Sequence, residues 1–172
     1  STLAKVSEPS QGSKSEGRRN EHQVTEFPET TVDKFTFKVA TDRLYTDSHL
    51  WVKWEEGLAR IGLSDYLQQT SGDVAFAEVK PEGAQLAAGD ELAGIETIKV
   101  NLALPSPISG VIKRVNPLLE GAPELINQDP YGEGWLALLE ASDWQTDKAN
   151  LLDAGTYYER MKAEAEAESK KR

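Results

Sequence analysis

Short segments that alternate between apolar and polar residues recur along the middle of the chain. Phe35-Thr36-Phe37-Lys38-Val39 alternates strictly, and two further segments flank the turn residues Glu55-Glu56-Gly57, as expected for a hairpin. The strands predicted in this way are, in chain order, 35–39, 50–54, 58–63, 74–79, 91–98, 100–104, 110–115 and 135–140. Many short strands with regular turn signals are typical of a mainly β sandwich or barrel.

A few short helices interrupt this pattern, and helical sequence dominates the C-terminal end. Ser64-Asp65 is a capping signal for a helix over residues 66–70, which Gly72 ends. The loop 116–130 is rich in proline and glycine, and we expect one helical turn at 117–119. Segments 146–152 and 155–172 are rich in Ala, Glu, Lys and Arg and predict two further helices.

The two ends of the chain differ from its centre. Residues 1–30 are polar and show no periodicity, which predicts a disordered tail. We expect one domain over residues 31–161 and a polar, frayed helix end over 162–172. The start of the chain lacks the apolar core of a signal peptide, and the apolar runs are too short to cross a bilayer. We therefore expect a cytoplasmic protein without membrane insertion.

Composition excludes several classes of chemistry. The formal net charge of -10 argues against binding to nucleic acid or to anionic membranes. The acidic surface has two interpretations, docking onto basic partner proteins or simple solvation, and the sequence does not separate them. The chain has no cysteine, which excludes disulfides, thiolate catalysis and cysteine-ligated metal sites. No catalytic or metal-binding constellation is visible, so we expect a protein that is not an enzyme.

One lysine, Lys99, is predicted to lie exposed in a turn between two strands. Turn residues around Gly89-Asp90 precede a predicted strand, Lys99 follows it, and a second strand leads to Pro105-Ser106-Pro107. The prolines restrict the backbone as it leaves the second strand, so the position of the turn is held. A hairpin that exposes a single amine is suited to the covalent attachment of a cofactor. This favours a carrier protein as the function.

The segment from Leu44 to Met161 resembles the H protein of the glycine cleavage system, a lipoyl-carrying protein. Each matching motif is weak alone, but their order and spacing together are specific. The matching residues include Ser48-His49, Trp51, Ile61-Gly62-Leu63-Ser64, Gly72-Asp73-Val74, Phe76, Gly89-Asp90, Glu96-Thr97-Ile98-Lys99, Pro107-Ile108-Ser109-Gly110, Asn116-Pro117, Leu125-Ile126-Asn127, Pro130-Tyr131 and Gly134-Trp135.

The resemblance implies a barrel-sandwich hybrid fold with short helices and a C-terminal helix. It also implies that Lys99 carries lipoate, attached by a lipoate ligase or transferase. Glu96 is either a residue recognised during lipoylation or an ordinary exposed carboxylate. A biotin carrier is disfavoured, because the neighbours of Lys99 are Ile98 and Val100 instead of methionines. His49 is expected to be a structural, hydrogen-bonding histidine.

Two departures from the family bear on the cargo. The family has a glutamate in its Ser-His-Glu-Trp motif, near the cleft that receives the amine-bearing arm, and Leu50 stands there in this chain. Residues 100–104 are also more apolar than in the family. A leucine does not stabilise a cationic aminomethyl group as a carboxylate does. Leu50, Leu102 and Leu104 are therefore expected along the cleft of the arm, although Leu102 and Leu104 also suit a core.

Three functions remain open. The departures favour a resemblance to the lipoate-binding proteins that work with heterodisulfide-reductase-like complexes in sulfur oxidation, where the arm carries sulfur. The alternative is a glycine cleavage H protein that serves aminomethyltransferase, glycine decarboxylase and dihydrolipoyl dehydrogenase. The third is an unlipoylated H-like module with a binding or regulatory role.

Overall fold

The computed structural model describes residues 26–32 and 35–171. Its strands are β1 (Glu29–Val32), β2 (Phe35–Lys38), β3 (Leu44–Tyr45), β4 (Leu50–Glu55), β5 (Leu58–Leu63), β6 (Val74–Val79), β7 (Gln85–Leu86), β8 (Glu91–Thr97), β9 (Asn101–Pro105), β10 (Gly110–Val115) and β11 (Ala137–Ala141). Its helices are α1 (Asp65–Ser71), α2 (Leu125–Gln128), α3 (Trp144–Lys148) and α4 (Ala154–Lys170). Residues 1–25 of the predicted tail lie outside the described residues.

The strands form three antiparallel sheets. A six-stranded sheet has the order β3-β4-β5-β11-β10-β7, and a three-stranded sheet has the order β9-β8-β6. The third sheet is the hairpin of β1 and β2. This mainly β architecture with short helices and a C-terminal helix confirms the fold expected from the sequence.

Two hydrophobic clusters lie on opposite faces of β4. Leu50 and Val52 belong to the main core, which lies between the larger sheets. Trp51 points the other way, into an aromatic cluster with Phe37, Tyr45, Tyr66 and Tyr157. Alternate side chains of a strand point to opposite faces, so a strand with both faces covered has consecutive buried residues. Trp51 also requires Gly62 on the neighbouring strand, since a Cβ atom there would lie 2.5 Å from the indole ring.

The β1–β2 hairpin is attached to the body of the protein through its backbone. Asp65 accepts a hydrogen bond from the Lys38 amide at 3.0 Å, and Gln69 donates to the Thr36 carbonyl at 2.8 Å. Tyr158 donates to the Glu29 carbonyl at 3.0 Å. Strand β1 thus begins at Glu29, inside the range 1–30 for which the polar sequence predicted a disordered tail. The difference arises because this strand is held by partners that are distant in sequence.

Helix α4 packs on the aromatic cluster from its first turn as far as Ala165. Tyr157, Met161 and Ala165 are buried at successive four-residue intervals, which places them on one face of the helix. Ala165 is only 5% exposed, although it lies in the segment 162–172 that was expected to be a polar, frayed end. The many glutamates and lysines of this segment led to the prediction of a polar end, although one face of the helix is apolar as far as Ala165.

The loop after β10 departs most from the sequence-based expectation. Residues 117–121 form turns, and the helix lies at Leu125–Gln128 instead of 117–119. Asn116 is 2% exposed, and its side chain binds the Glu133 and Trp135 carbonyls at 2.7 and 2.8 Å. These contacts fix both ends of the loop, which local turn signals alone did not predict. None of the described helices has the length and apolar character needed to cross a membrane.

Candidate functional site

Lys99 lies in the turn between β8 and β9, the two strands that the sequence placed on either side of it. The strands pair in antiparallel register, with Asn101 opposite Glu96. Thr97 closes the turn, because its amide donates to the Val100 carbonyl at 2.8 Å. Its hydroxyl oxygen accepts hydrogen bonds from the amides of Lys99 and Val100, at 3.1 and 3.0 Å. The turn therefore has a fixed backbone conformation.

The same hydroxyl joins the turn to helix α1. Thr97 donates to the Ser71 carbonyl at 2.7 Å, at the last residue of the helix. The helix is itself held at both ends, since Ser64 caps its first turn and Gly72 ends it with a φ of 92°. Asn127 binds the Gly72 carbonyl and the Val74 amide at 3.0 and 2.8 Å. The sequence-predicted helix is thus the support against which the lysine turn rests.

The Lys99 side chain is exposed and extends toward α1. Its Nζ atom donates to the Thr70 carbonyl at 3.1 Å. The neighbouring Ile98 is 92% exposed, so the tip of the hairpin is open to contact with another protein. An amine in this position is accessible and its direction is defined by one hydrogen bond.

A pocket of about 480 Å³ opens beside Lys99, and we refer to it as the α4 pocket. Its walls come from the β1–β2 hairpin, helix α1 and the C-terminal part of α4. Its volume lies within the range of about 300–1,000 Å³ that is common for small-molecule sites. The lining residues are Val32, Phe35, Phe37, His49, Tyr66, Leu67, Gln69, Thr70, Lys99, Glu164, Ala165 and Glu168.

His49 forms part of the wall of the α4 pocket and is held on both ring nitrogens. Its Nδ1 lies 2.8 Å from the Tyr157 hydroxyl, and its Nε2 lies 3.1 Å from a Glu164 carboxylate oxygen. An ionised carboxylate only accepts hydrogen bonds, so Nε2 donates to Glu164. His49 also has a positive φ of 71°, a conformation that is uncommon for residues other than glycine. These contacts fit the hydrogen-bonding role expected for His49 and fix Glu164 at the pocket wall.

The hydroxyl of Tyr157 continues this network into the protein. Tyr157 donates to the buried Ser64 hydroxyl at 2.9 Å. Burial raises the pKa of Tyr157 far above its ordinary value, and the nearby Ser64 contact only partly opposes this effect. The phenol therefore remains protonated at every physiological pH and acts as a fixed structural link between α4, α1 and His49.

The structure separates the residues that the sequence grouped around the arm. Leu50 and Leu104 are 0% and 3% exposed and belong to the main core, so neither side chain faces the α4 pocket. Leu102 is half-buried and lines a second pocket of about 390 Å³, together with Glu96. Leu104 thus belongs to the core, as one of its two interpretations had it, and Leu50, which was expected along the cleft of the arm, is also a core residue.

The second pocket has an acidic and partly apolar surface. Glu78, Glu91 and Glu96 surround it, with Lys80 as its basic residue. Phe76 is 50% exposed at its edge and pairs across the sheet with Glu96. Glu96 is therefore exposed on the strand that leads to Lys99, a position open to contact with another protein.

The pocket residues that sequence reasoning missed come from the two ends of the chain. Phe35, Phe37, Glu164 and Glu168 carried no motif, and only the four-residue spacing of the two glutamates indicated a shared helix face. The fold brings them to the same pocket as His49 and Lys99. Across the part of the chain that the structure describes, no three His, Asp or Glu side chains are grouped so that they could hold a metal ion.

Comparisons with known proteins agree with these features. A family model described as glycine cleavage H-protein matches residues 43–164. The glycine cleavage system H protein of Thermus thermophilus is 40% identical over 127 residues, which are 74% of this chain and 98% of that protein. Glycine cleavage system H protein 4 of Aquifex aeolicus is 37% identical over 132 residues, 77% of each chain.

The fold has a counterpart among solved structures. The crystal structure of a glycine cleavage system H protein from Mycobacterium marinum superposes with a TM-score of 0.63 and 29% sequence identity. The match covers 70% of this chain and 96% of the other. The β1–β2 hairpin and Glu168 lie outside the residues that the family model matches.

Proposed function

The chain belongs to the glycine cleavage H-protein family, whose members carry lipoate covalently on a lysine, and we propose that Lys99 is the lipoylated lysine of this protein. The support is the exposed Nζ atom on a turn fixed by Thr97. Glu96 is proposed as a contact for the lipoate ligase or transferase, since it is exposed one residue before Thr97.

The surroundings of Lys99 fit this modification. An amide at Nζ loses the positive charge of the amine but keeps one N–H, which still has the Thr70 carbonyl as its acceptor. When attached, the dithiolane of lipoate supplies reversible redox chemistry and a sulfur that accepts a transferred group. The chain's own residues hold the root of the arm and present a partly apolar pocket beside it.

We propose that the cargo is the aminomethyl group of glycine cleavage. The support is the name shared by the relatives from Thermus and Aquifex. In this role the protein is a non-catalytic carrier that visits glycine decarboxylase, aminomethyltransferase and dihydrolipoyl dehydrogenase in turn. A tethered cargo has a high effective concentration in each active site, because the carrier brings it there as part of a complex.

A sulfur cargo, delivered to a heterodisulfide-reductase-like complex, is the second candidate. It is favoured by Leu50, where the family has a glutamate. The burial of Leu50 in the main core weakens that argument, because a core residue does not contact the cargo. The names of the relatives favour the aminomethyl group.

Intact mass spectrometry tests the modification. The protein is incubated with lipoate, ATP and a lipoate ligase, and we expect one lipoyl group, which peptide mapping assigns to Lys99. Lys99→Arg should remain unmodified and folded, whereas Lys113→Arg, at another exposed lysine, should be modified as the wild type is. A lipoyl group on any other lysine, or none, would overturn the assignment.

The cargo is tested on the lipoylated protein. Incubation of the oxidised lipoyl form with glycine and glycine decarboxylase should release carbon dioxide and add the mass of methylamine, because one sulfur takes the aminomethyl group and the other becomes a thiol. Transfer of sulfur from a persulfide donor, together with failure to accept the aminomethyl group, would instead support the second candidate. A protein that carries no lipoate in its native host would support the third, a binding or regulatory module.

A further inference from the structure

Strand β9, which follows Lys99, has a free edge. It lies at the end of the three-stranded sheet, beside β8. The Thr97 amide donates to the Val100 carbonyl, which makes these two residues a hydrogen-bonded pair of the antiparallel ladder. Such pairs alternate with non-hydrogen-bonded pairs, so Asn101 and Ala103 direct their N–H and C=O groups away from β8. Within the described part of the chain, no hydrogen bond engages these outward-directed groups.

The free edge of β9 is accessible. Asn101 and Ala103 are both exposed, and neither side chain is charged. Pro105 is the last residue of the strand and has no N–H group, so it limits the length of the edge. A row of unpaired backbone donors and acceptors can bind an extended segment of another protein as an additional strand.

Strand β6, at the opposite edge of the same sheet, has different surroundings. The Lys80 amide donates to the Leu92 carbonyl, so by the same alternation Ala77 and Val79 direct their backbone groups away from β8. Both residues are half-buried and line a groove whose other wall includes residues 115–117. The six-stranded sheet ends in β3 and β7, which have two residues each. The edge of β9 therefore offers more room for an added strand than these edges do.

The place of this edge in the chain indicates which partner it serves. It begins two residues after Lys99, whose amine is separated from the backbone by a stem of only four carbons. An enzyme that acylates this amine has to approach the turn between β8 and β9 closely. An enzyme that acts on the dithiolane works at the far end of the attached lipoyl chain and has no need to touch β9.

We propose that the lipoate ligase or transferase adds an extended segment of its own to β9 as a further strand of the sheet, bound by the backbone groups of Asn101 and Ala103. This inference rests on the proposed function. Pairing through the backbone fixes the register of the two proteins, which brings Lys99 to a defined place in the active site. It depends little on side-chain identity, so the apolar residues at 100–104 are compatible with lipoylation.

The test compares two alanine-to-proline variants at the two edges of the sheet. Ala103→Pro removes an N–H group that points away from β8, so the ladder within the protein is kept and the added strand loses a donor. Ala77→Pro makes the same change at the edge of β6. Thermal unfolding verifies that each variant is folded. The initial rate of lipoylation is then measured by mass at several concentrations of the carrier.

We expect Ala103→Pro to lower the kcat/KM of the ligase about tenfold through a higher KM, because a hydrogen bond is lost and the proline ring hinders the approaching strand. Ala77→Pro should match the wild type. Equal values for the two variants would overturn the proposal. The proposed function would stand in that case, because peptide mapping assigns the lipoyl group of the wild type independently. A wild type that is not lipoylated at Lys99 would overturn both.

Amide hydrogen exchange on the unaltered sequence gives a second readout, which also applies if a proline variant does not fold. The ligase is loaded with a sulfamoyl analogue of lipoyl-adenylate, which cannot transfer its acyl group, and gel filtration verifies the complex. In the free protein, the amides of Asn101 and Ala103 should exchange rapidly and those of Leu102 and Leu104 slowly. The complex should slow the first two at least tenfold. Unchanged exchange at both positions would overturn the proposal, and a protein that does not bind the loaded ligase would contradict the proposed function as well.

Discussion

The hydroxyl group of Thr97 is the contact point between the lysine turn and helix α1. It accepts from two amides of the turn and donates to the Ser71 carbonyl. A side chain that satisfies three backbone groups fixes a turn more firmly than strand pairing does alone. This oxygen atom and the hydrogen bond from Lys99 Nζ to the Thr70 carbonyl together link the lysine turn to α1.

Thr97→Val should retain the shape of this residue and remove its hydrogen bonds. The amides of Lys99 and Val100 then lose their acceptor, and we expect the free energy of unfolding to fall by about 1–2 kcal/mol. Because the ligase must find the amine in a defined position, the initial rate of lipoylation should fall about tenfold. Denaturant unfolding and a mass-based rate measurement check the two effects.

Thr31→Val is the matched control, because the Thr31 hydroxyl contacts only the Thr36 hydroxyl at an exposed position. It should leave the lipoylation rate unchanged. If Thr97→Val were lipoylated at the wild-type rate, the hydrogen bonds of Thr97 would not be what positions Lys99.

Leu50 illustrates what single residues reveal in a sequence. Its identity was informative, because a glutamate was expected there. The face of the strand toward which the Leu50 side chain points was not evident, since β4 has buried residues on both faces and shows no clean alternation. Lys99, by contrast, could be assigned to an exposed turn because the residues on both sides of it had clear strand and turn signals.

At the scale of elements, α4 has two roles. Its apolar stripe closes the aromatic cluster, and Glu164 and Glu168 line the α4 pocket. Its first turn is capped by Asp153, which accepts from the Thr156 amide at 2.7 Å. This hydrogen bond lowers the pKa of Asp153 below its ordinary value of 3.8. An ionised cap therefore favours the folded helix.

Because of the Asp153 cap, the stability of the folded protein should decrease as the pH falls into the acidic range. A carboxyl group whose pKa is lower in the folded state adds stability above its unfolded pKa, and this stability is lost as the pH falls through the folded value. We expect Asp153→Ala to unfold more easily than the wild type near neutral pH. The difference between the two proteins should shrink below pH 3.8. Thermal unfolding at several pH values measures it.

Asp153→Asn is the control, since asparagine also caps helices but does not titrate. Its stability should depend less on pH in the acidic range than that of the wild type. A constant difference between wild type and Asp153→Ala at every pH would contradict the role of the ionised cap.

The elements differed in how well their sequences predicted them. The hairpin of β4 and β5 and the strands around Lys99 were predicted from short apolar runs bounded by turn residues, which are short-range signals. The β1–β2 hairpin and the end of α4 depend on long-range contacts, such as that between His49 and Glu164, which are 115 residues apart. No local pattern indicates such a pair, so the α4 pocket became visible only in the folded protein.

At the scale of the whole molecule, charge is the dominant property. The formal net charge is -10, and the second pocket beside the lysine hairpin has three glutamates and one lysine. Charged surfaces of this kind accelerate encounters with oppositely charged partners, and salt weakens the effect. A carrier that must meet several enzymes gains from rapid and reversible docking.

The reaction of the lipoylated protein with dihydrolipoyl dehydrogenase should therefore depend on salt. We expect kcat/KM to fall about threefold to tenfold between roughly 0.02 and 0.3 M salt, because screening shortens the range of the attraction. Free lipoamide, which has no protein surface, serves as the control and should show a smaller change. A value for the protein that stays constant or rises with salt would contradict docking onto a basic surface.

The position of β4 between two hydrophobic clusters has a consequence for the evolution of such proteins. The β1–β2 hairpin and α4 contact the aromatic cluster on one face of the strand, while the hairpin that presents Lys99 belongs to sheets around the main core. The two faces can accordingly diverge by separate substitutions. A lineage can change the terminal segments by substitution while the hairpin that carries Lys99 is inherited unchanged.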